Sequence, residues 1–142
     1  GTALTATFVI DCSVTMAWCF EDEATPRTDS LLDRLAEEAA LVPTLWFLEV
    51  ANLLTVAERR KRVTPANSNR FLSLLTSLPI ESDGESSSRA CTELVSLSRT
   101  HGITSYDAAY LDVALRHRLP LASLDEGLRR CAKSMGIKLL GK

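Results

Sequence analysis

Asp11, Glu49, Asp107 and Asp125 each stand beside apolar sequence, where an unpaired negative charge is costly to keep. Asp11 closes the run Ala6-Thr7-Phe8-Val9-Ile10, and Glu49 lies within Trp46-Phe47-Leu48-Glu49-Val50-Ala51. Asp107 sits in Tyr106-Asp107-Ala108-Ala109-Tyr110, and Asp125 follows Leu121-Ala122-Ser123-Leu124. A shared divalent cation would offset several such charges at once. Ser13, two residues after Asp11, and Ser123, two before Asp125, add hydroxyls to the same rim. Carboxylates and hydroxyls without Cys or His ligands suit a hard cation such as Mg²⁺ or Mn²⁺. Bound water would then lose a proton more readily, and charge on a phosphoryl oxygen would be stabilised, the logic of phosphodiester hydrolysis.

Each acid also has a plainer account. Asp11 and Asp125 each precede a helical pattern and would serve as N-caps. Thr104-x-x-Asp107 has the outline of a capping box. Glu49 shares a helical side with Leu45, Leu53 and Val56, so it needs a cation, a partner such as Arg60, or an edge position reaching water. Asp112 stands four residues before Arg116 on another face, reads as a surface ion pair, and is excluded from the site. His101 and His117, near helix ends, read as surface or packing residues. The basic run Arg59-Arg60-Lys61-Arg62 could meet phosphates, or could simply complement a helix C-terminus.

The elements that must position these residues alternate short apolar runs with helical ones, the pattern of an α/β fold with a parallel sheet. Strands are expected at about 7–11, 41–42, 80–81, 121–124 and 137–140. Helices are expected from Ser13 to Phe20, Thr25-Pro26 to Ala40, Leu45 to Arg62, and Thr64-Pro65 to Leu78. Others are expected from Ser86 or Ser87 to Gly102, from Thr104 to before Pro120, and from Asp125 to Gly136. Thr-Pro pairs mark two of these helix starts. The 142 residues read as one domain, and Gly1 in place of Met suggests a processed end whose first residues are set aside.

Composition is that of a globular protein, 46% hydrophobic and 24% charged, with no apolar run approaching a membrane span and no leader pattern. The four cysteines form no C-x-x-C pair and read as reduced packing residues of a cytoplasmic protein. A net charge of -2 does not advertise nucleic-acid binding, so a polyanionic substrate would need a local basic patch and metal ions.

Taken together, the motifs resemble the PIN domain, and more narrowly the VapC-type toxin ribonucleases of toxin–antitoxin pairs. Phe8-Val9-Ile10-Asp11-Cys12-Ser13 is similar to that family's opening strand, acid and hydroxyl. Pro43 through Leu54 is similar to its helix-borne acid, with Glu49. Gly102-Ile103-Thr104-Ser105-Tyr106-Asp107-Ala108-Ala109-Tyr110-Leu111 is the most specific segment. Leu119-Pro120-Leu121-Ala122-Ser123-Leu124-Asp125 resembles the last acid, with Ser123 where Thr is common. The resemblance implies a five-stranded parallel sheet flanked by helices, Mg²⁺ or Mn²⁺, and cleavage of single-stranded RNA. It implies Asp11, Glu49, Asp107 and Asp125 as metal ligands or holders of metal-bound water, with Ser13, Ser123 and Asn52 assisting. It also implies a homodimer and a cognate VapB-type antitoxin, whose segment is expected near Met16-Ala17-Trp18-Cys19-Phe20 and Leu53-Leu54. Two alternatives stand beside it: a haloacid-dehalogenase-like phosphatase using Asp11 as nucleophile, and a non-catalytic binding module on the same fold.

Overall fold

The computed structural model describes residues 4–142. The chain runs β1 (Ala6–Ile10), α1 (Cys12–Cys19), α2 (Pro26–Arg34), β2 (Ala39–Pro43), α3 (Leu45–Arg59), α4 (Pro65–Ser77) and β3 (Ile80–Asp83). It continues through α5 (Ser86–Arg89), a π-helical stretch (Ala90–Leu94), α6 (Val95–His101), α7 (Ser105–His117), β4 (Leu121–Ala122), α8 (Glu126–Ser134) and β5 (Leu139–Leu140). The strands form one parallel sheet in the order β3-β2-β1-β4-β5. The chain therefore winds from β1 outward to β3, then returns to build β4 and β5 on the other side. The β1/β4 junction is the point where winding reverses, and open α/β sheets collect ligands at the carboxyl ends of such strands.

The core forms where the sequence is densest in apolar residues. Phe8, Val9 and Ile10 of β1 are fully buried, as β1 lies in the middle of the sheet. α3 turns Trp46, Val50, Leu54 and Ala57 inward, a 3.6-residue period. Burial of each large side chain of this kind contributes about 1.5–3 kcal/mol. A smaller cluster of Leu94, Ala108 and Ala109 packs the π-helical stretch against α7. Helix starts follow local chemistry: Thr25 and Thr28 form a reciprocal capping box, and Thr64 accepts the Asn67 N–H at 3.1 Å.

The five-stranded parallel architecture agrees with expectation, while several boundaries move. The helix begun at Pro26 stops at Arg34 rather than Ala40, because Ala39 and Ala40 are drawn into the ladder beside β1 and β3. β2 thereby becomes a fully buried five-residue strand that includes Pro43. The helix expected over 86–102 is interrupted by the π-helical stretch. β4 is two residues long, and the chain beyond Ala122 passes into the loop that carries Ser123 and Asp125. Cys12 is buried as a packing residue would be, whereas Cys91 is exposed.

Asp112 also departs from expectation. It is 3% exposed, accepting from Arg89 Nε and Nη2 at 2.9 Å as well as from Arg116 Nε at 2.9 Å. Arg116 reaches on to Asp83 at 2.8 Å, and His117 Nε2 lies 2.6 Å from the same carboxylate. The pair with Arg116 exists, but it belongs to a buried network tying β3, α5 and α7 together. Its acids are fully countered, unlike those described next.

Candidate active site

Asp11 directly follows β1, and its N–H continues the ladder to Ala122 O at 3.2 Å. Two hydroxyls bracket its carboxylate: Ser13 Oγ donates to Oδ1 and Ser123 Oγ to Oδ2, both at 2.5 Å. Each of those hydroxyls in turn accepts a backbone N–H from the loop after β4. Leu124 N–H reaches Ser13 Oγ at 2.8 Å, and Asp125 N–H reaches Ser123 Oγ at 3.0 Å. The ends of β1 and β4 are thus laced together through Asp11. Asp11 also accepts the Val14 N–H at 3.2 Å as N-cap of α1. Capping and clustering are therefore not rival accounts of this residue.

Asp125 repeats the arrangement, accepting the Leu128 N–H at 2.8 Å to cap α8 while its carboxylate stays exposed. Gly127 leaves room for that cap, since a Cβ there would stand 3.3 Å from Asp125 Oδ1. Asp107 lies in the first turn of α7, which Thr104 caps by accepting the Asp107 N–H at 3.1 Å. Its own carboxylate is half-buried and makes no hydrogen bond among the described residues. Three of the acids therefore sit at helix N-termini, where the partial positive charge of the backbone favours an anion.

Glu49 occupies the second turn of α3, half-buried at the edge of its apolar face rather than inside it. Leu53, one turn on, is 40% exposed and Leu48 is 77% exposed. Arg60 is not its partner. The phenol of Tyr110, a fully enclosed residue of α7, donates to Glu49 Oε1 at 2.6 Å, and Cys12 Sγ stands 3.9 Å from the same oxygen. Tyr110 was not anticipated, although its place three residues after Asp107 on one helix puts both side chains on neighbouring positions of one face.

The four carboxylates sense one another in a closed circuit. Burial raises the Asp11 carboxyl above its usual range, and the Asp125 charge adds to this. Glu49 is raised by burial, then by Asp107 and Asp11. Asp107 is raised by burial, then by Asp125. Among the described residues no Lys or Arg pairs with any of the four. Among those residues, too, no three Asp, Glu, His or Cys side chains are drawn close enough to hold an ion as they stand. Mg²⁺ keeps several waters while using one or two carboxylates, so it does not require three side chains to close on it at once. An oxygen-only donor set with no counter-cation fits a hard divalent ion. Asp11 and Glu49 each retain carboxylate lone pairs to hold one, and Asp107 and Asp125 add carboxylate oxygens that no side chain among the described residues engages.

Of the supporting residues, Ser13 and Ser123 join the site, whereas Asn52 is exposed and makes no hydrogen bond to Glu49. The basic run lies ten residues beyond Glu49 on α3, about 15 Å along the axis. Arg59, Arg60 and Lys61 are exposed, while Arg62 pairs with Asp22 and Glu23 and stacks on the Phe20 ring at 4.0 Å. Arg129 braces the rim by donating to Ser123 O and Leu140 O, both at 2.8 Å. Gly141 follows β5 at φ 105°, a conformation that favours glycine, and a Cβ there would crowd Ser123 O at 3.2 Å.

The PIN-domain profile matches residues 8–134, and the chain belongs to the PIN-domain family, whose members are generally nucleases. No curated protein sequence matches the chain significantly. Among solved structures, PAE2754 from Pyrobaculum aerophilum is similar at 25% identity and TM-score 0.69, over 96% of this chain and 92% of that one. FitAcB from Neisseria gonorrhoeae shares the fold at 18% identity and TM-score 0.57, over 94% and 96% respectively. Among the described residues no helix is long and apolar enough to cross a membrane.

Proposed function

We propose that this chain is a Mg²⁺- or Mn²⁺-dependent endoribonuclease, the VapC-type toxin of a type II toxin–antitoxin pair acting in the cytoplasm. The observation that carries this reading is the circuit of four carboxylates at the reversal point of a PIN sheet, none with a counter-cation among the described residues. A divalent ion bound there would supply activated water and charge neutralisation at a phosphodiester. Asp11 would hold the ion from a carboxylate oriented by Ser13 and Ser123, and Glu49, Asp107 and Asp125 would complete its ligands or hold its waters. Arg59, Arg60 and Lys61 would contact RNA phosphates away from the cleaved bond, with Arg62 restrained by Asp22 and Glu23.

Two clefts support an antitoxin seat where one is expected. One, of about 790 Å³, is lined by Trp18, Phe20, Val63 and Phe71 among others. The other, of about 160 Å³, joins Met16 and Phe20 to Leu53 and Val56. The exposed apolar pair Phe47 and Leu48 supports self-association. A phosphatase of the haloacid-dehalogenase kind is disfavoured, because it needs a second Asp where Ser13 instead donates to Asp11.

The test is Mn²⁺-dependent cleavage of single-stranded RNA by the wild type and by Asp11→Asn and Asp125→Asn, with folding followed by circular dichroism. Loss of cleavage in both folded variants is expected. Near wild-type cleavage by either would defeat the assignment, and release of phosphate from monoesters instead would favour the phosphatase.

A further inference from the structure

Glu49 differs from the other three acids in how it is held. A Glu side chain on a surface-edge turn has three freely rotating bonds, and α3 itself offers this one no partner. The partner comes from α7, 61 residues away: the Tyr110 hydroxyl at 2.6 Å from Oε1. Tyr110 is 2% exposed, so its ring is fixed by packing and its hydroxyl has one place to point. The Cys12 thiol backs it at 3.7 Å, closing a small enclosure behind Oε1. Oε2 has no partner among the described residues and is the oxygen left for a ligand. Partners that orient metal-binding side chains in this way raise metal affinity by about 10–100-fold.

We infer that Tyr110 is a positioning residue for Glu49, holding Oε1 from behind so that Oε2 serves a bound divalent ion. This inference rests on the metal-dependent reading above. The competing possibility is that Glu49 merely satisfies a buried phenol, and the two differ in what Tyr110→Phe does. That substitution keeps the ring in the core and removes only the donor.

Mn²⁺ affinity of the full chain, measured by titration calorimetry, separates them. The expected result is an affinity about 10-fold or more weaker in Tyr110→Phe, with no further loss when the substitution is placed on Glu49→Gln. Affinity equal to wild type in folded Tyr110→Phe overturns the inference and leaves the metal site standing. Equal, additive losses on both backgrounds overturn it too, since Tyr110 would then act without Glu49. No Mn²⁺ binding by the wild type overturns the metal-dependent reading and this inference with it. A second measurement covers a variant that fails to fold: with Tyr106→Phe, Tyr110 is the only tyrosine left. A Mn²⁺-dependent change in tyrosine absorbance is then expected, and its absence on saturated protein counts against the inference.

Discussion

Ser123 Oγ lies 2.5 Å from Asp11 Oδ2, a hydrogen bond between residues 112 positions apart in the chain. The same hydroxyl accepts the Asp125 N–H, so one buried atom sets the separation of two site acids.

Ser123→Ala is therefore expected to act on both stability and the site. Loss of a buried donor and acceptor should lower unfolding free energy by about 1–3 kcal/mol in urea titration. Mn²⁺ affinity should fall about 10-fold or more in calorimetry. A stability loss with unchanged affinity would show that the hydroxyl serves the fold alone.

Acidity and metal should pull on the same residues with opposite sign to the distant ion-pair network. Asp11, Glu49 and Asp107 have raised carboxyls, chiefly from burial, so their stabilising contribution exists at low pH and is lost as pH rises through the folded-state values. Asp83 is held far below the usual range by Arg116, so its contribution is present above the ordinary Asp value of about 3.9 and lost as pH falls. In a chelator, stability should rise as pH drops through the raised values of these three carboxyls, then fall below the ordinary Asp value of about 3.9 as the Asp83 contribution is lost. Saturating Mn²⁺ should abolish the first rise and add about 2.7 kcal/mol at one hundred times its dissociation constant. A monotonic profile in chelator would contradict the burial of uncompensated charge.

Arg116 is the hub of the countered network, only 17% exposed in its side chain between Asp83 and Asp112. Arg116→Leu should cost about 3 kcal/mol, because two buried carboxylates lose a partner. Adding Asp83→Asn should restore part of that loss. Denaturant midpoints for the single and double variants provide the check.

The thiols should separate cleanly in reactivity. Burial, with Glu49 nearby, pushes the Cys12 thiol up to about 12, while Cys91 is exposed. Iodoacetamide at neutral pH should label Cys91 first in the native protein and Cys12 only after unfolding. Early labelling of Cys12 by peptide mapping would mean that the enclosure behind Glu49 opens readily.

The sheet and the three acids at strand or helix starts were legible because local signals coincide there: an apolar run ends, an Asp follows, and a helix begins. What was not legible depends on partners distant in sequence. Leu35-Ala36-Glu37-Glu38-Ala39-Ala40 reads as helix by propensity, yet pairing with β1 and β3 claims its last residues as strand. Asp112 reads as exposed because its spacing to Arg116 is that of a surface pair, while in the fold it is also paired with Arg89, delivered by α5. Glu49 showed its need for a partner but not the partner, since nothing local points from α3 to Tyr110.

The strand order gives the molecule a built-in delay. β1 leaves the ribosome well before the neighbour that completes its acidic edge, β4 with Ser123 and Asp125. Nascent chains stopped at Arg118 should bind no Mn²⁺, and those extended past β5 should bind it. The acidic edge would thus stay incomplete, and without its ion, until β4 has been made and has paired with β1.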